Sequence, residues 1–344
     1  MTVMAPGFSA SSAAHAVEKQ WRALAGVIAV VFIAGLVAAL GAEPTSGAFG
    51  IRFPHSSTLA APLALLAAIS WGAADYVAGT ASRRSSALRI VVGSHMVGLI
   101  ALTVFTPLIR SSVEVSDLLW GVGGGVGGGL GTLLLYRGLA VGRMAVVAPV
   151  TAAQAAAVPV LIGLIGGDVI SNLGLLGIGL AFPAVVLVAM APDDGGPRGS
   201  QGSFGTWIQQ PGLVHAIVGG LGFGMFYVCL DRTGGDTGVW PLLAARVASV
   251  VMLGAVALAA ERRILPATEV RGATLAAGAL DVAAAVLFLM ATRQGALAVA
   301  SILTSMYPAT TVLLAIFLLR ERCSTTQIVG MALCGVAIGF LVMS

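Results

Sequence analysis

Residues 142–190 read GRMAVVAPVTAAQAAAVPVLIGLIGGDVISNLGLLGIGLAFPAVVLVAM, and residues 295–343 read GALAVASILTSMYPATTVLLAIFLLRERCSTTQIVGMALCGVAIGFLVM. A shift of 153 positions places the first stretch on the second for 49 residues without a gap. The register keeps an acidic position and a serine of one loop as well as apolar positions, which chance does not readily produce. The pattern therefore predicts a unit used twice, with matching pairs such as Ala145 with Ala298, Thr151 with Thr304, Asp168 with Glu321 and Ser171 with Ser324.

The composition places most of the chain's surface in lipid. Of 344 residues, 58% are hydrophobic and 9% are charged, whereas soluble domains carry about 25% charge. The charges occur singly or in pairs between apolar runs, and the sequence has no basic stripe with interleaved aromatic residues, which argues against a nucleic-acid partner. The three cysteines form an odd set without a metal-binding spacing. The sequence therefore predicts no metal, no disulfide framework and no cofactor.

Apolar runs long enough to cross a bilayer recur along the chain. A hydrocarbon core about 30 Å thick needs about 20 apolar residues for each helical crossing. By that measure the sequence predicts an all-α integral membrane protein with a core of ten transmembrane helices. The predicted spans are 59–79, 88–108, 117–136, 144–166, 170–191, 211–230, 239–259, 270–290, 296–319 and 325–343.

The remaining segments define the domain organisation. Residues 1–22 form an N-terminal tail, and residues 23–42 are an uncharged segment that fits either an extra transmembrane helix or a cleavable signal peptide. The first five-helix unit is predicted at 59–191 and the second at 211–343. Segment 192–210 between them is rich in Gly, Pro and Ser, which is typical of a linker.

The number of helices in each unit decides the topology. Because five is odd, the second unit must enter the membrane from the side opposite to the first. Inverted repeats of this kind are a transporter architecture, in which the substrate binds near the midplane and one unit rocks against the other. The duplication therefore predicts a secondary transporter that works by alternating access.

The distribution of basic residues predicts the orientation. Without Arg89 and Arg246, which belong to predicted helices, 16 Lys and Arg remain. If residues 23–42 cross the membrane from a cytoplasmic N-terminus, 12 of these 16 basic residues are cytoplasmic and 4 are not. If the ten-helix core instead begins in the cytoplasm, 6 of the 16 are cytoplasmic and 10 are not. Because Lys and Arg are enriched in cytoplasmic loops, the sequence favours the first arrangement, with Ser344 outside the cytoplasm.

The segment SMYPATTVLLAIFLLRERCSTTQIVGMALCGVAIG at 305–339 carries a resemblance to a known family. A Tyr-Pro pair begins an apolar helix, and Arg-Glu-Arg at 320–322 forms a short charged hairpin after it. Together with Trp71 and the two five-helix units, this segment resembles the EamA-type transporters of the drug/metabolite transporter superfamily. The first unit departs from the pattern, since Gln154 stands where the second unit has Tyr307.

The resemblance covers about residues 59–343 and implies a function. It implies a multi-pass plasma-membrane permease for small organic metabolites or drugs, with export as the favoured direction because the resembled family contains many exporters. The expected partners are the small-molecule substrate and the lipid bilayer, and both a monomer and a homodimer fit. We expect no enzymatic activity and assign no catalytic residue.

Two carboxylates lie well inside predicted spans, Asp75 in the first and Asp281 in the eighth. An ionisable residue at membrane depth costs a few kcal/mol on insertion scales and is a functional candidate by default. In a cavity, such a carboxylate could bind a cationic group of the substrate or exchange a proton. The alternative is a structural carboxylate that bonds to neighbouring helices.

Arg89 and Arg246 occupy matching positions just inside the second and seventh predicted helices. Each could pair with a substrate carboxylate, and their two-fold relation fits a shared role. The favoured interpretation is that each side chain reaches the helix end or bonds to carbonyl groups and so fixes the end of its helix.

Further candidates are aromatic or hydrogen-bonding side chains in or near the spans. An aromatic ring with a polar group suits an amphipathic ligand, although the interfacial belt explains tyrosines near span ends equally well. Thr151 with Gln154, and Thr304 with Tyr307, place two polar groups on one helix face. The full set of predicted pathway residues is Trp71, Asp75, Thr151, Gln154, Tyr227, Asp281, Thr304 and Tyr307, with Tyr76 and Tyr136 as further aromatic candidates and His95 and His215 interpreted as structural.

Two other classes compete with a transporter. A polytopic membrane enzyme needs a nucleophile with its base, or clustered carboxylates for a metal, and the acids here are scattered along the chain. A non-transporting scaffold or a channel is the second alternative, although a channel would more naturally repeat rings of polar residues. The literal GxGxxG at 123–128 lies inside a predicted span and does not predict a nucleotide site. Glycines four apart in this run, such as Gly121 and Gly125, instead favour close helix packing.

Overall fold

A computed structural model of the protein describes residues 59–109, 111–142, 144–166, 171–189, 211–294, 297–319 and 325–342. All regular secondary structure within these ranges is helical. The segment 23–42, predicted as a helix or a signal peptide, and the predicted linker 192–210 lie outside the described residues.

The helices begin and end close to the predicted spans, because apolar runs bounded by polar, Gly or Pro residues form them. In chain order they are α1 (Ala60–Ser82), α2 (Ala87–Phe105), α3 (Val115–Val141), α4 (Met144–Gly166), α5 (Asn172–Ala189), α6 (Leu213–Asp231), α7 (Trp240–Glu261), α8 (Arg271–Thr292), α9 (Leu297–Thr304), α10 (Tyr307–Leu319) and α11 (Thr325–Val342). By length and composition, six of them can cross a membrane, namely α1, α2, α3, α6, α7 and α8. The chain is therefore a helical multi-pass membrane protein, and the count of ten crossings stays a prediction.

The predicted ninth span, 296–319, is not a single helix, so that part of the prediction is wrong. Helix α9 ends at Thr304, α10 begins at Tyr307, and a two-residue turn separates them. Pro308 explains the break. Proline has no backbone N–H to bond the carbonyl of Thr304 four residues earlier, and its ring crowds that carbonyl.

Helices α2 and α7, which hold the same place in the two units, pack side by side in opposite directions. Residues near the start of α2 contact residues near the end of α7, and residues further along α2 contact residues nearer the start of α7. Equivalent helices of the two units therefore run antiparallel at this contact. The residue pairs that establish the direction are Arg89 with Glu261, His95 with Ser249 and Gly98 with Arg246.

Contacts between the units also occur in equivalent pairs. Helix α1 packs in parallel against α9 and α10, and α6 packs in parallel against α4. Because α1 and α6 are the first helices of their units, and α4 and the α9–α10 pair are the fourth, exchange of the units maps one contact onto the other. The directions follow from Ala64 with Thr304 and Gly72 with Thr311 in the first contact, and from Thr151 with Gly220 and Val158 with Gly224 in the second.

The glycine run of α3 permits close packing against two helices of the second unit. Gly121, Gly125 and Gly129 form one stripe against α7, and a Cβ added at Gly125 would overlap the backbone of Ala245. Other glycines of the run face α6. The expected close packing of helices is confirmed here, and it brings both units around one central space.

The outward faces of the helices carry large apolar side chains. Ile100, Val251 and Leu119 are each more than three-fifths exposed. Large apolar side chains distributed in this way over a helical surface fit a lipid environment. The buried polar and charged side chains lie instead between the helices.

Candidate functional site

A narrow cavity lies between the two units, near the middle of several helices. Helices α1, α3, α6 and α8 and the first turn of α10 form its wall, and it has room for about one water molecule. The cavity is too narrow for a larger ligand in this conformation, so binding of one requires the helices to move apart. The lining residues are Trp71, Asp75, Thr132, Tyr136, Phe223, Tyr227, Asp281 and Tyr307.

Aromatic rings form one continuous wall beside this cavity. The ring of Trp71 lies 5.8 Å from that of Tyr227 and 5.9 Å from that of Phe288, measured between centroids. The rings of Tyr227 and Phe288 are 4.5 Å apart. These distances are typical of interacting aromatic pairs. The ring contacts join α1, α6 and α8 beside the cavity.

Asp281 is surrounded by side chains from three other helices. Trp71 Nε1 donates a hydrogen bond of 2.9 Å to Asp281 Oδ1, and Arg246 Nη2 lies 2.7 Å from Oδ2. The arginine contact is short but is not aligned as a hydrogen bond, so charge attraction describes it best. His95 Nε2 lies 4.0 Å from the same oxygen. Asp281 and Arg246 are each 7% exposed, so this is a buried ion pair.

The sequence favours a role for Arg246 at the end of its own helix. The structure contradicts that interpretation, because the Arg246 side chain pairs with Asp281. Its side chain crosses from α7 towards α8 and passes Gly98 of α2, where an added Cβ would lie 3.2 Å from Arg246 Nε. His95 Nδ1 lies 2.9 Å from Ser249 Oγ next to this contact. Helices α2, α7 and α8 thus share one polar cluster inside the membrane part of the protein.

Arg89 has a different environment from its counterpart in the second unit. Its Nε lies 2.8 Å from Glu261 Oε2, and Ser86 Oγ donates to Glu261 Oε1 at 2.5 Å. The side chains of Arg89 and Glu261 are 22% and 26% exposed. This pair joins the start of α2 to the end of α7, away from the cavity.

Asp75 lies one turn after Trp71 on α1 and also lines the cavity. It is 6% exposed. No described residue forms an ion pair with its carboxylate or donates a hydrogen bond to it. The cavity therefore contains two buried carboxylates, of which one is paired and the other is not.

Three tyrosines line the cavity together with Asp75. Tyr136, Tyr227 and Tyr307 are all buried. The hydroxyl of Tyr307 makes only a long contact, 3.5 Å, with the carbonyl oxygen of Ala148. These hydroxyls supply donors that can turn towards a ligand.

The cavity brings together five of the eight predicted pathway residues, and three lie elsewhere. Thr151 donates to the carbonyl of Val147 at 2.9 Å and packs with Gln154 against α6. Thr304 donates to the carbonyl of Ala64 at 3.3 Å and so joins α9 to α1. These side chains lie at contacts between the units. The five residues that line the cavity are Trp71, Asp75, Tyr227, Asp281 and Tyr307.

Comparison with known proteins identifies the family. The sequence profile described as EamA-like transporter family matches this chain twice, over residues 58–190 and 210–343. The chain belongs to the EamA-like transporter family. It is therefore a membrane transporter of the drug/metabolite type with two repeats, and its environment is the lipid bilayer.

Several solved structures have a similar fold. One of them is titled "Crystal structure of protein" and superposes with a TM-score of 0.60 at 15% sequence identity, covering 83% of this chain and 98% of the other. A likeness at this identity concerns the fold alone. No curated protein matches the chain.

Sequence reasoning did not identify several residues of this EamA-like site. His95 was interpreted as structural, although a histidine at membrane depth is a candidate by the same argument that selected Asp75. Thr132 and Phe288 carry no signal in the sequence, because an apolar or hydroxyl residue in an apolar span looks the same on either face. Phe223 does carry one, since it holds the position in the second unit that Trp71 holds in the first. Across the described ranges, no group of three His, Cys, Asp or Glu side chains is placed to hold a metal ion.

Proposed function

We propose that this protein is a secondary transporter that moves a small organic metabolite or drug across the plasma membrane by alternating access. The binding site is the central cavity. The observation that carries the proposal is the buried carboxylate of Asp75, which lines a narrow cavity well inside α1 and has no described partner. A buried charge without a partner is costly, and in membrane proteins such residues mark substrate or proton pathways.

The architecture supports the movement. We propose ten crossings in two inverted five-helix repeats, at 59–191 and 211–343, joined by the linker 192–210. The antiparallel contact of α2 with α7 and the paired contacts of α1 and α6 support this arrangement. In an inverted repeat, the two units can exchange conformations and so open the cavity to either side.

The residues divide between the pathway and its support. Trp71, Asp75, Tyr227 and Tyr307 face the substrate in this proposal, and Asp281 faces it as part of a neutral pair with Arg246. Thr151, Gln154 and Thr304 lie at contacts between the units, where sliding during transport would change their neighbours. Export remains the favoured direction. The cavity is enclosed by one chain, so transport does not require a second copy.

The experiment measures flux in proteoliposomes. The purified full-length chain is reconstituted, and uptake and efflux of labelled amino acids, organic cations and sugars are followed with and without an imposed pH gradient. Trp71→Ala changes the cavity wall, and Trp120→Ala is a matched control because Trp120 is 43% exposed on α3.

We expect flux of at least one compound with the wild type and Trp120→Ala, and a large loss with Trp71→Ala. Two results would contradict the proposal. One is the absence of any flux above protein-free liposomes, and the other is flux that Trp71→Ala leaves unchanged.

A further inference from the structure

We infer that the cavity takes a monovalent organic cation with an aromatic or apolar body, and that Asp75 is the residue that binds its charge. This inference rests on the proposed function, because it names the substrate class of the same cavity. It concerns a charge that no side chain of the described protein neutralises.

The formal charges around the cavity do not cancel. Asp75 and Asp281 contribute two negative charges, and Arg246 contributes one positive charge next to Asp281. With Asp75 ionised and histidine counted as neutral, the cluster has a net charge of −1, which a ligand cation can neutralise in place of a proton. Among the described residues, no Lys or Arg lines the cavity to balance Asp75. A ligand with one positive charge completes the balance.

Asp281 cannot readily bind this charge, because both of its oxygens already have partners. Oδ1 accepts the hydrogen bond of Trp71, and Oδ2 lies 2.7 Å from Arg246. A ligand cation at Asp281 would have to displace a buried guanidinium and leave it unpaired, at a cost of several kcal/mol. The binding role therefore falls to Asp75.

The remaining wall suits the body of an organic cation better than a bare metal ion. The rings of Trp71 and Tyr227 line it, and the ring of Phe288 packs against both of them. A cation near the face of such rings is attracted by their negative quadrupole, most strongly when the site excludes water. Metal cations instead need several oxygen ligands, and in the described cavity wall Asp75 is the one carboxylate free to supply them.

The same geometry disfavours the other ligand charges. An anion in the cavity would meet the uncompensated carboxylate of Asp75 at short range, and like charges that lack solvent repel strongly. A neutral ligand would exclude water from Asp75 without supplying a charge. Binding of either ligand is therefore weaker than binding of a cation of the same size and shape.

The test compares three fused-ring probes of similar size. N-methylquinolinium is a permanent monovalent cation, quinoline is uncharged at neutral pH, and naphthoate is an anion. Binding of labelled N-methylquinolinium to the purified full-length protein is measured by scintillation proximity, with the other two probes as competitors. The variants are Asp75→Asn, Asp75→Glu and Asp117→Asn. Asp117 is a buried carboxylate outside the cavity, where it accepts the N–H of Gly234 at 2.8 Å.

We expect Asp75→Asn to weaken binding of N-methylquinolinium about 30-fold, the size expected when one partner of a buried charge pair is removed. Asp75→Glu keeps the charge and should retain binding within about tenfold, and Asp117→Asn should match the wild type. Quinoline and naphthoate should compete weakly or not at all with the wild type.

Three results would overturn the inference: unchanged cation binding in Asp75→Asn, competition by naphthoate or quinoline as effective as that of the unlabelled cation, or no cation binding by the wild type. If Asp75→Asn fails to fold, the competition series with the wild type and Asp75→Glu still decides. In proteoliposomes, flux of neutral or anionic compounds alone would contradict only this inference. Flux of no compound would contradict the proposed function as well.

Discussion

Asp75 and Asp281 line the same cavity, and each is more than nine-tenths buried. Asp281 has a hydrogen bond from Trp71 and a charge partner in Arg246. Asp75 has neither from any described residue. The depth of a carboxylate in a membrane protein therefore does not by itself reveal its role. Neighbouring side chains offset the cost of burying Asp281, whereas no described side chain offsets the cost of burying Asp75.

The difference in partners indicates different roles for Asp75 and Asp281. A buried carboxylate that faces a buried guanidinium has its charge compensated, and loss of either member leaves an uncompensated charge. A buried carboxylate without a partner is compensated only from outside the protein, by a proton or a ligand. We therefore propose that the Asp281 pair supports the site and that Asp75 binds the ligand.

The largest expected effect comes from removing the partner of Asp281. Arg246→Ala leaves Asp281 buried without a counter-charge, and we expect the free energy of unfolding to fall by about 3–5 kcal/mol. Thermal or SDS-induced unfolding of the detergent-purified protein measures this change.

Arg89→Ala is the matched control for Arg246→Ala, because Arg89 belongs to the partly exposed pair with Glu261. Partly exposed pairs contribute less than about 1 kcal/mol. Equal losses for the two arginine variants would show that the Asp281 pair is not special, and the comparison of the two carboxylates would fail.

A medium effect is expected from the second partner of Asp281. Trp71→Phe keeps an aromatic ring in the cavity wall but removes the N–H that Asp281 Oδ1 accepts. Loss of a hydrogen bond to a buried charged group costs about 1–3 kcal/mol. Trp120→Phe on the exposed face of α3 should change the free energy of unfolding by less than about 0.5 kcal/mol. If both tryptophan variants unfold alike, the indole does not support Asp281.

The smallest effect on stability is expected at Asp75. Asp75→Asn removes a charge that no described residue compensates, so the free energy of unfolding should stay within about 1 kcal/mol of the wild type or rise. Asp117→Ala should lower it by about 1–2 kcal/mol, since the N–H of Gly234 then loses the oxygen that accepts it. A loss at Asp75 as large as that of Arg246→Ala would mean that Asp75 has a structural partner.

The sequence predicts much of this fold because its strongest signal is simple. A run of about 20 apolar residues has few alternatives to a helix in lipid, and the helix from Met144 to Gly166 begins and ends at the predicted residues. The sequence does not decide the break before Tyr307, because Pro308 can either interrupt a membrane helix or be tolerated in it as a kink. The internal match of 142–190 with 295–343 also predicts the two repeats of the family, which the profile match confirms.

The candidate site is less predictable, because it depends on which helix faces are opposed. The cost of a charge at membrane depth selected both Asp75 and Asp281, but nothing in the sequence distinguishes them. The position of Arg246 six residues inside α7 suggested a role at the helix end. Only the packing of α7 and α8 against α2 brings its guanidinium to Asp281. Thr151 and Gln154 share a helix face, but that face meets Gly220 of α6.

Carbodiimide labelling of the two carboxylates tests the central claim most directly. Dicyclohexylcarbodiimide reacts with a protonated carboxyl group in an apolar environment, and mass spectrometry of the digested protein locates the modified residue. The account predicts modification of Asp75, protection of Asp75 by N-methylquinolinium, and no modification of Asp281 while Arg246 is present. Modification of Asp281 with Asp75 unmodified would contradict it.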